Sequence, residues 1–145
     1  MRLGMKTLAL AIAATLMAPT AFADGHGGDG DAAKGESTFK KCKACHKIGE
    51  GAKNGTGPHL NDVIGRTAGT LEDFKFSESM VVAGEAGLVW DAENMFEYLQ
   101  DPKKYLQAFL DDKAAKSKMT LKLKKEDDRK NVIAYVATFS AAPSE

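Results

Sequence analysis

Apolar residues recur at three- and four-residue spacing in separated stretches of this chain, and that spacing predicts helices. From Trp90 to Leu99, Met95, Tyr98 and Leu99 share one face, with Asp91 placed as N-cap. Asp101-Pro102 then closes one helix and opens another: Asp101 caps it, and Pro102 takes the first position, where no N–H is needed. Tyr105, Leu106, Phe109 and Leu110 form the expected buried stripe of that helix. Lys125 to about Phe139 predicts a last helix, acidic in its first turn (Glu126, Asp127, Asp128) and apolar along Val132, Tyr135, Val136 and Phe139. A first helix is expected from Asp31, its cap, to about Lys43. Its interior Gly35 is unfavourable by about 1 kcal/mol against Ala. That cost makes sense where another helix passes close to the Gly35/Phe39 face, and the last helix is the natural partner.

The remainder reads as loop. Lys47 to Gly69 holds six glycines with weak periodicity, and Leu71 to Val89 reads as irregular, with Phe74 and Phe76 placed to cover a flat apolar group or to join the core. Asp111 to Leu123 is polar and lysine-rich. No strand pattern and no internal repeat is evident, so the expectation is one all-α domain. The first 23 residues differ from the rest. Arg2 and Lys6 precede an uncharged apolar run, and Ala21-Phe22-Ala23 forms a small-x-small site before Asp24. This is the pattern of a cleavable export signal; the run is short for a membrane span and Pro19 interrupts it. Residues 24–30, rich in Gly and Asp, are expected to form a flexible tail that includes a solvated His26, and Ala141 to Glu145 is expected to fray.

The whole chain of 145 residues carries 20 basic and 20 acidic residues; residues 24–145 carry 18 and 20, a formal −2. That balance argues against general nucleic-acid binding. A domain of this size buries a modest core, and a large apolar cofactor would give it more surface to pack on. Cys42-Lys43-Ala44-Cys45-His46 supplies the attachment pattern for such a group. C-x-x-C-H sets two thiols one helical turn apart, able to form thioethers with the two vinyl groups of a haem, and His46 next to them can ligate the iron. Competing readings are weaker. A zinc site needs four N/S ligands, and His26 and His59 lack the usual pairing; a thioredoxin-type dithiol wants a preceding strand; a local disulfide leaves His46 unexplained. A ligating imidazole commonly gives its other N–H to a carbonyl, and the Gly57-Pro58-His59-Leu60 loop can present one. For the sixth iron position Met119 is the first candidate: a lone thioether in a polar loop is poor core material but suits a ligand. Met80 ranks second, His59 is a further alternative, and Met95 sits on a helix stripe as core.

From Asp31 to Phe139 the chain resembles a class I c-type cytochrome, closest to the bacterial cytochrome c2 group. The residues that carry the resemblance are Gly35, Phe39, Cys42/Cys45/His46, Gly57-Pro58 with Leu60, Gly65-Arg66, Trp90, Tyr98-Leu99, Pro102 to Tyr105, Lys118-Met119 and Tyr135. The resemblance implies the class I fold, with N- and C-terminal helices crossing and short helices and loops wrapped around one covalently attached haem. It implies that Pro58 offers its carbonyl to the axial His46, that Arg66 and Trp90 hold a buried propionate, that Tyr98 bonds near the Met119 sulfur, and that Leu60 belongs to the haem pocket. Three departures stand out. Phe76 replaces a frequent Tyr on a propionate, Leu121 replaces a frequent aromatic guard of the haem edge, and the Leu106–Lys116 segment is longer than in the mitochondrial proteins.

With His46 and Met119 both bound, iron has no open site, so outer-sphere electron transfer is expected and enzyme chemistry is not. By resemblance the carrier is periplasmic and monomeric, and not membrane-embedded. It would shuttle electrons from a quinol-oxidising cytochrome bc complex to a photosynthetic reaction centre or terminal oxidase. Lysines 40, 41, 43 and 47 flank the attachment motif and lysines 103, 104, 116, 118, 122, 124 and 125 flank the Met119 region; as a ring they would steer the haem edge onto acidic docking sites. The alternative is a haem enzyme or gas-binding protein with a displaceable sixth ligand.

Overall fold

A computed structural model describes residues 29–141. The expected export signal, His26, most of the expected N-terminal tail and the last four residues lie outside that range. The described chain is helical: α1 Ala32–Phe39, α2 Glu78–Glu85, α3 Ala92–Gln100, α4 Pro102–Phe109 and α5 Glu126–Ala137. Among the described residues the only extended pairing is an isolated antiparallel bridge between Thr67 and Val89. Among the described residues no strand precedes Cys42, as a thioredoxin-type dithiol would want.

The expected caps hold. Asp31 accepts from the N–H groups of Ala33 and Lys34, Asp91 from Asn94 and Asp101 from Lys104, with Pro102 opening α4. These carboxylates satisfy donors that have no partner inside the helix. Lys125 precedes α5 without a side-chain cap, and the acidic first turn of that helix complements its dipole instead.

α1 and α5 form the most extensive helix pair, and glycine permits it. A Cβ built on Gly35 would collide with the Asn131 carbonyl and stand 2.7 Å from Tyr135 Cβ. Phe39, fully buried, meets Tyr135 with ring centroids 5.4 Å apart. The buried face of α5 is Val132, Ile133 and Val136, so Ile133 joins the core while Tyr135 and Phe139 are only half-buried. On α4 the expected stripe is narrower: Leu106 is fully buried, Tyr105 and Leu110 are partly covered, and Phe109 is 37% exposed.

One helix corrects the reading of 71–89 as irregular. Ser77 caps α2 by accepting from the Met80 N–H, and the buried positions of the helix are Ala83 and Gly84. Its larger aliphatics, Val81 and Val82, face outward. A Cβ on Gly84 would strike the Ala68 carbonyl, so α2 lies directly on the 67–69 backbone. The long 106–116 segment continues past α4 through turns to a buried Ala115, and the Lys116 N–H then donates to Ser79 Oγ on α2 at 3.0 Å.

Candidate functional site: an apolar cleft with imidazole and thioether

Immediately after α1 the chain turns tightly. The Cys45 and His46 N–H groups both donate to the Cys42 carbonyl, at 3.1 and 2.9 Å, which gathers the three residues at one edge of a cleft. Cys42 is buried and Cys45 exposed. Burial pushes the free Cys42 thiol up to about 11, so it remains protonated at neutral pH.

The imidazole of His46 is fixed by the loop that follows. Its Nδ1 lies 2.7 Å from the Pro58 carbonyl. A carbonyl can only accept, so Nδ1 carries the proton and Nε2 keeps its lone pair. Burial, the larger effect, lowers the His46 pKa, while the bond to Pro58 raises it. Lowering favours the neutral, ligating form. Gly57 lies against the ring: a Cβ there would stand 2.8 Å from Nδ1 and 2.5 Å from Cε1. The Gly57 N–H donates to the Cys45 carbonyl at 2.8 Å, so the two loops hold one another.

Backbone pairing brings two more residues of the cleft side by side. The Gly65 N–H donates to the Trp90 carbonyl at 2.6 Å, and the Trp90 N–H to the Arg66 carbonyl at 2.9 Å. Arg66 and Trp90 both line the cleft. The Arg66 guanidinium reaches the Asn61 and His59 carbonyls only at 3.4 Å. Burial lowers its pKa and Asp62 opposes that shift, but a guanidinium stays charged. A half-buried cation with such long bonds is suited to an anionic group in the cleft.

Met119 lines the same cleft, partly buried. Ser117 shapes its loop: the Met119 N–H donates to Ser117 Oγ at 3.1 Å, and the Ser117 hydroxyl donates to the Met119 carbonyl at 2.9 Å. Tyr98, buried on α3, lies beside the Ser117 side chain. Burial, the larger effect, raises the Tyr98 pKa, and the neighbouring Ser117 opposes that shift. Ser117 was not singled out from the sequence; the signal available was a hydroxyl two residues before an isolated Met in a loop.

Leu60, Phe74, Phe76, Met80 and Leu121 also line the cleft, with Phe74 and Phe76 edge-on at 4.8 Å. Met95 is buried on α3 and reaches the same wall. His59 does not line the cleft; its N–H donates to Asn54 Oδ1 at 2.9 Å and its Nδ1 is buried without a partner. Among the described residues no three His, Cys, Asp or Glu groups gather as metal ligands, so the zinc alternative finds no ligand set there. The donor set fits a haem c instead: two thiols, one tautomerically fixed imidazole, the thioethers of Met80, Met95 and Met119, a cation, and walls that are mostly hydrocarbon.

Comparison with known proteins agrees. A family model described as "Cytochrome c" matches residues 32–140. The chain is 46% identical to cytochrome c-551 of Roseobacter denitrificans, over 96% of this chain and 99% of that protein. It is 52% identical to cytochrome c2 iso-1 of Rhodospirillum centenum, over 77% of this chain and 98% of that one. The solved structure of cytochrome c2 from Rhodospirillum centenum superposes with a TM-score of 0.74 at 49% identity, covering 77% of this chain and all of that one.

Proposed function

Because the chain belongs to the cytochrome c family, with the class I fold and a covalently attached haem c, we propose that it is a soluble, periplasmic, monomeric one-electron shuttle ligated by His46 and Met119. The haem supplies an iron centre that alternates between ferric and ferrous states. Cys42 and Cys45 tether it, and the turn at the end of α1 keeps them beside His46. His46 presents Nε2 because Nδ1–H is engaged by Pro58. Met119 is a neutral thioether donor, which favours the ferrous state and raises the potential. Arg66 and Trp90 face an acid group of the cofactor, Tyr98 acts through Ser117 on the Met119 loop, and Leu60 forms part of the apolar wall. His46 and Met119 would hold the iron between them and leave it no open site, which suits a carrier rather than an enzyme.

The observation that carries this reading is the convergence of the Cys42/Cys45/His46 turn and Met119 on one apolar cleft. Its upstream partner is a quinol-oxidising cytochrome bc complex, and its downstream partner a photosynthetic reaction centre or terminal oxidase. Export by residues 1–23 delivers it there. Absorption spectra of the purified protein in both redox states test the ligand set. The ferric form is expected to show a sulfur-to-iron charge-transfer band that Met119→Leu abolishes, with a fall in midpoint potential. An unchanged spectrum and potential in M119L would refute Met119 ligation, and ready binding of carbon monoxide by the wild-type ferrous protein at neutral pH would favour a displaceable-ligand haem protein.

A further inference from the structure

The chain on the far side of Met119 is pinned at three consecutive residues. Lys122 Nζ meets Asp101 Oδ2 at 2.7 Å. The Leu123 N–H donates to the Leu99 carbonyl at 2.8 Å. Arg129 Nη1 receives no carboxylate but donates to the Leu123 and Lys124 carbonyls at 2.8 and 3.0 Å, its guanidinium 4.2 Å above the Phe96 ring. On the near side the ties are Lys116 N–H to Ser79 and Lys118 Nζ to the Lys75 carbonyl, both of them lysines at the surface.

Among these ties Asp101 is unusual because it performs two tasks. Oδ1 accepts from the Lys104 N–H at 3.2 Å and so caps α4, while Oδ2 takes the Lys122 ammonium. Its side chain is 12% exposed, against 44% for that of Lys122. The Lys122 hydrogen bond is the largest of the influences that hold the Asp101 carboxyl below the usual range, followed by the Lys104 N–H. A carboxylate fixed by a helix start cannot follow a wandering partner, so the position of Lys122, three residues beyond Met119, is set by the α3–α4 junction.

We infer that Asp101 and Lys122 are positioning residues for the sixth ligand: their ion pair holds the Met119 segment closed over the cleft and lowers the fraction of molecules in which the thioether is displaced. The inference rests on Met119 ligation. It concerns an equilibrium between two ligand states, and a competing ligand reads that equilibrium directly, because apparent affinity scales with the open fraction.

The test is an imidazole titration of the ferric holoprotein, following loss of the charge-transfer band, with wild type, Asp101→Asn, Lys122→Gln and Lys122→Arg. Asn retains N-capping ability, so D101N keeps α4 while losing the charge. K122Q alters only a half-exposed side chain and serves if D101N folds poorly. In D101N and K122Q imidazole is expected to bind about five- to tenfold more tightly, intermediate between losing an exposed and a buried ion pair. K122R is expected to restore the wild-type affinity. Added salt should tighten imidazole binding in wild type more than in D101N, since screening weakens only an existing pair; a purely structural role would not produce that difference. Equal apparent affinities in wild type, D101N and K122Q, with the band present in all three, would overturn this inference and leave Met119 ligation standing. A wild-type ferric spectrum without the band would overturn both.

Discussion

At the scale of single residues the site depends on a missing atom. Gly57 has no Cβ, and the plane of His46 occupies the space one would fill. Gly57→Ala forces the imidazole away from Pro58 or the loop away from Cys45, to which the Gly57 N–H is bonded. The expected cost is about 1–3 kcal/mol of stability, the usual range for overpacking a tight site, measured by denaturant unfolding. The midpoint potential should rise as well. A His46 that loses its carbonyl partner is a weaker donor, and a weaker donor stabilises ferric iron less. A variant as stable as wild type with an unmoved potential would show that the contact is idle. The attachment residues were legible in the sequence because C-x-x-C-H is contiguous. Pro58 required knowing that a ligand imidazole wants a carbonyl. Ser117 was invisible because its bonds to the Met119 backbone exist only once that loop has folded back on itself.

Among the elements, α1 and α5 meet through Gly35, and this crossing is the least forgiving contact in the fold. Gly35→Ala places a methyl group on the Asn131 carbonyl, a backbone atom that cannot rotate aside. The helices must then separate around Phe39, Ile133 and Val136, all nearly inaccessible to solvent. A loss of roughly 3 kcal/mol or more is expected, in the range reserved for core overpacking and strain, while the ferric charge-transfer band, set by residues elsewhere, should persist below the unfolding transition. Calorimetry and the spectrum together check both halves. The helix pattern showed this crossing because its cost is written locally, as a Gly within an otherwise good helix. It hid α2 for the opposite reason. There the buried face is Ala83 and Gly84, whose small side chains leave no hydrophobic period, while Val81 and Val82 point to solvent. A helix that docks by close backbone approach gives no three-four stripe to find, and only the Ser77 cap marked its start. Phe109 was misread on α4 for a related reason: a stripe predicts a face, but the 106–116 turn leaves the end of that face uncovered.

For the whole molecule, a near-neutral net charge is compatible with lysines at the cleft. The lysines at 40, 41, 43, 47, 103, 104, 116, 118, 122, 124 and 125 are all exposed, and Lys41 and Lys118 line the cleft. They are not equivalent. Lys41 is paired with Asp128 at 2.9 Å and Lys122 with Asp101, whereas Lys118 bonds only a neutral carbonyl, so its charge is uncompensated beside the cleft. Electrostatic guidance toward an acidic partner would therefore draw more on Lys118 than on Lys41. Lys118→Gln should slow bimolecular electron transfer to an acidic redox partner severalfold at low ionic strength, and Lys41→Gln less, because it also frees Asp128. Lys34, paired with Asp31 on α1 and absent from the cleft wall, should be silent when changed to Gln. Steering commonly raises association rates by about 10- to 1,000-fold, and the Debye length shrinks from about 30 Å at 0.01 M salt to about 8 Å at 0.15 M. The wild-type rate is thus expected to fall roughly tenfold or more across that range, and the three variants to converge toward it at high salt. Stopped-flow kinetics across a salt series measures all of this in one experiment. A flat profile, or equal effects of Lys118 and Lys34, would mean that the lysines are merely solvated surface and that the partner recognises this protein through the apolar cleft rim instead.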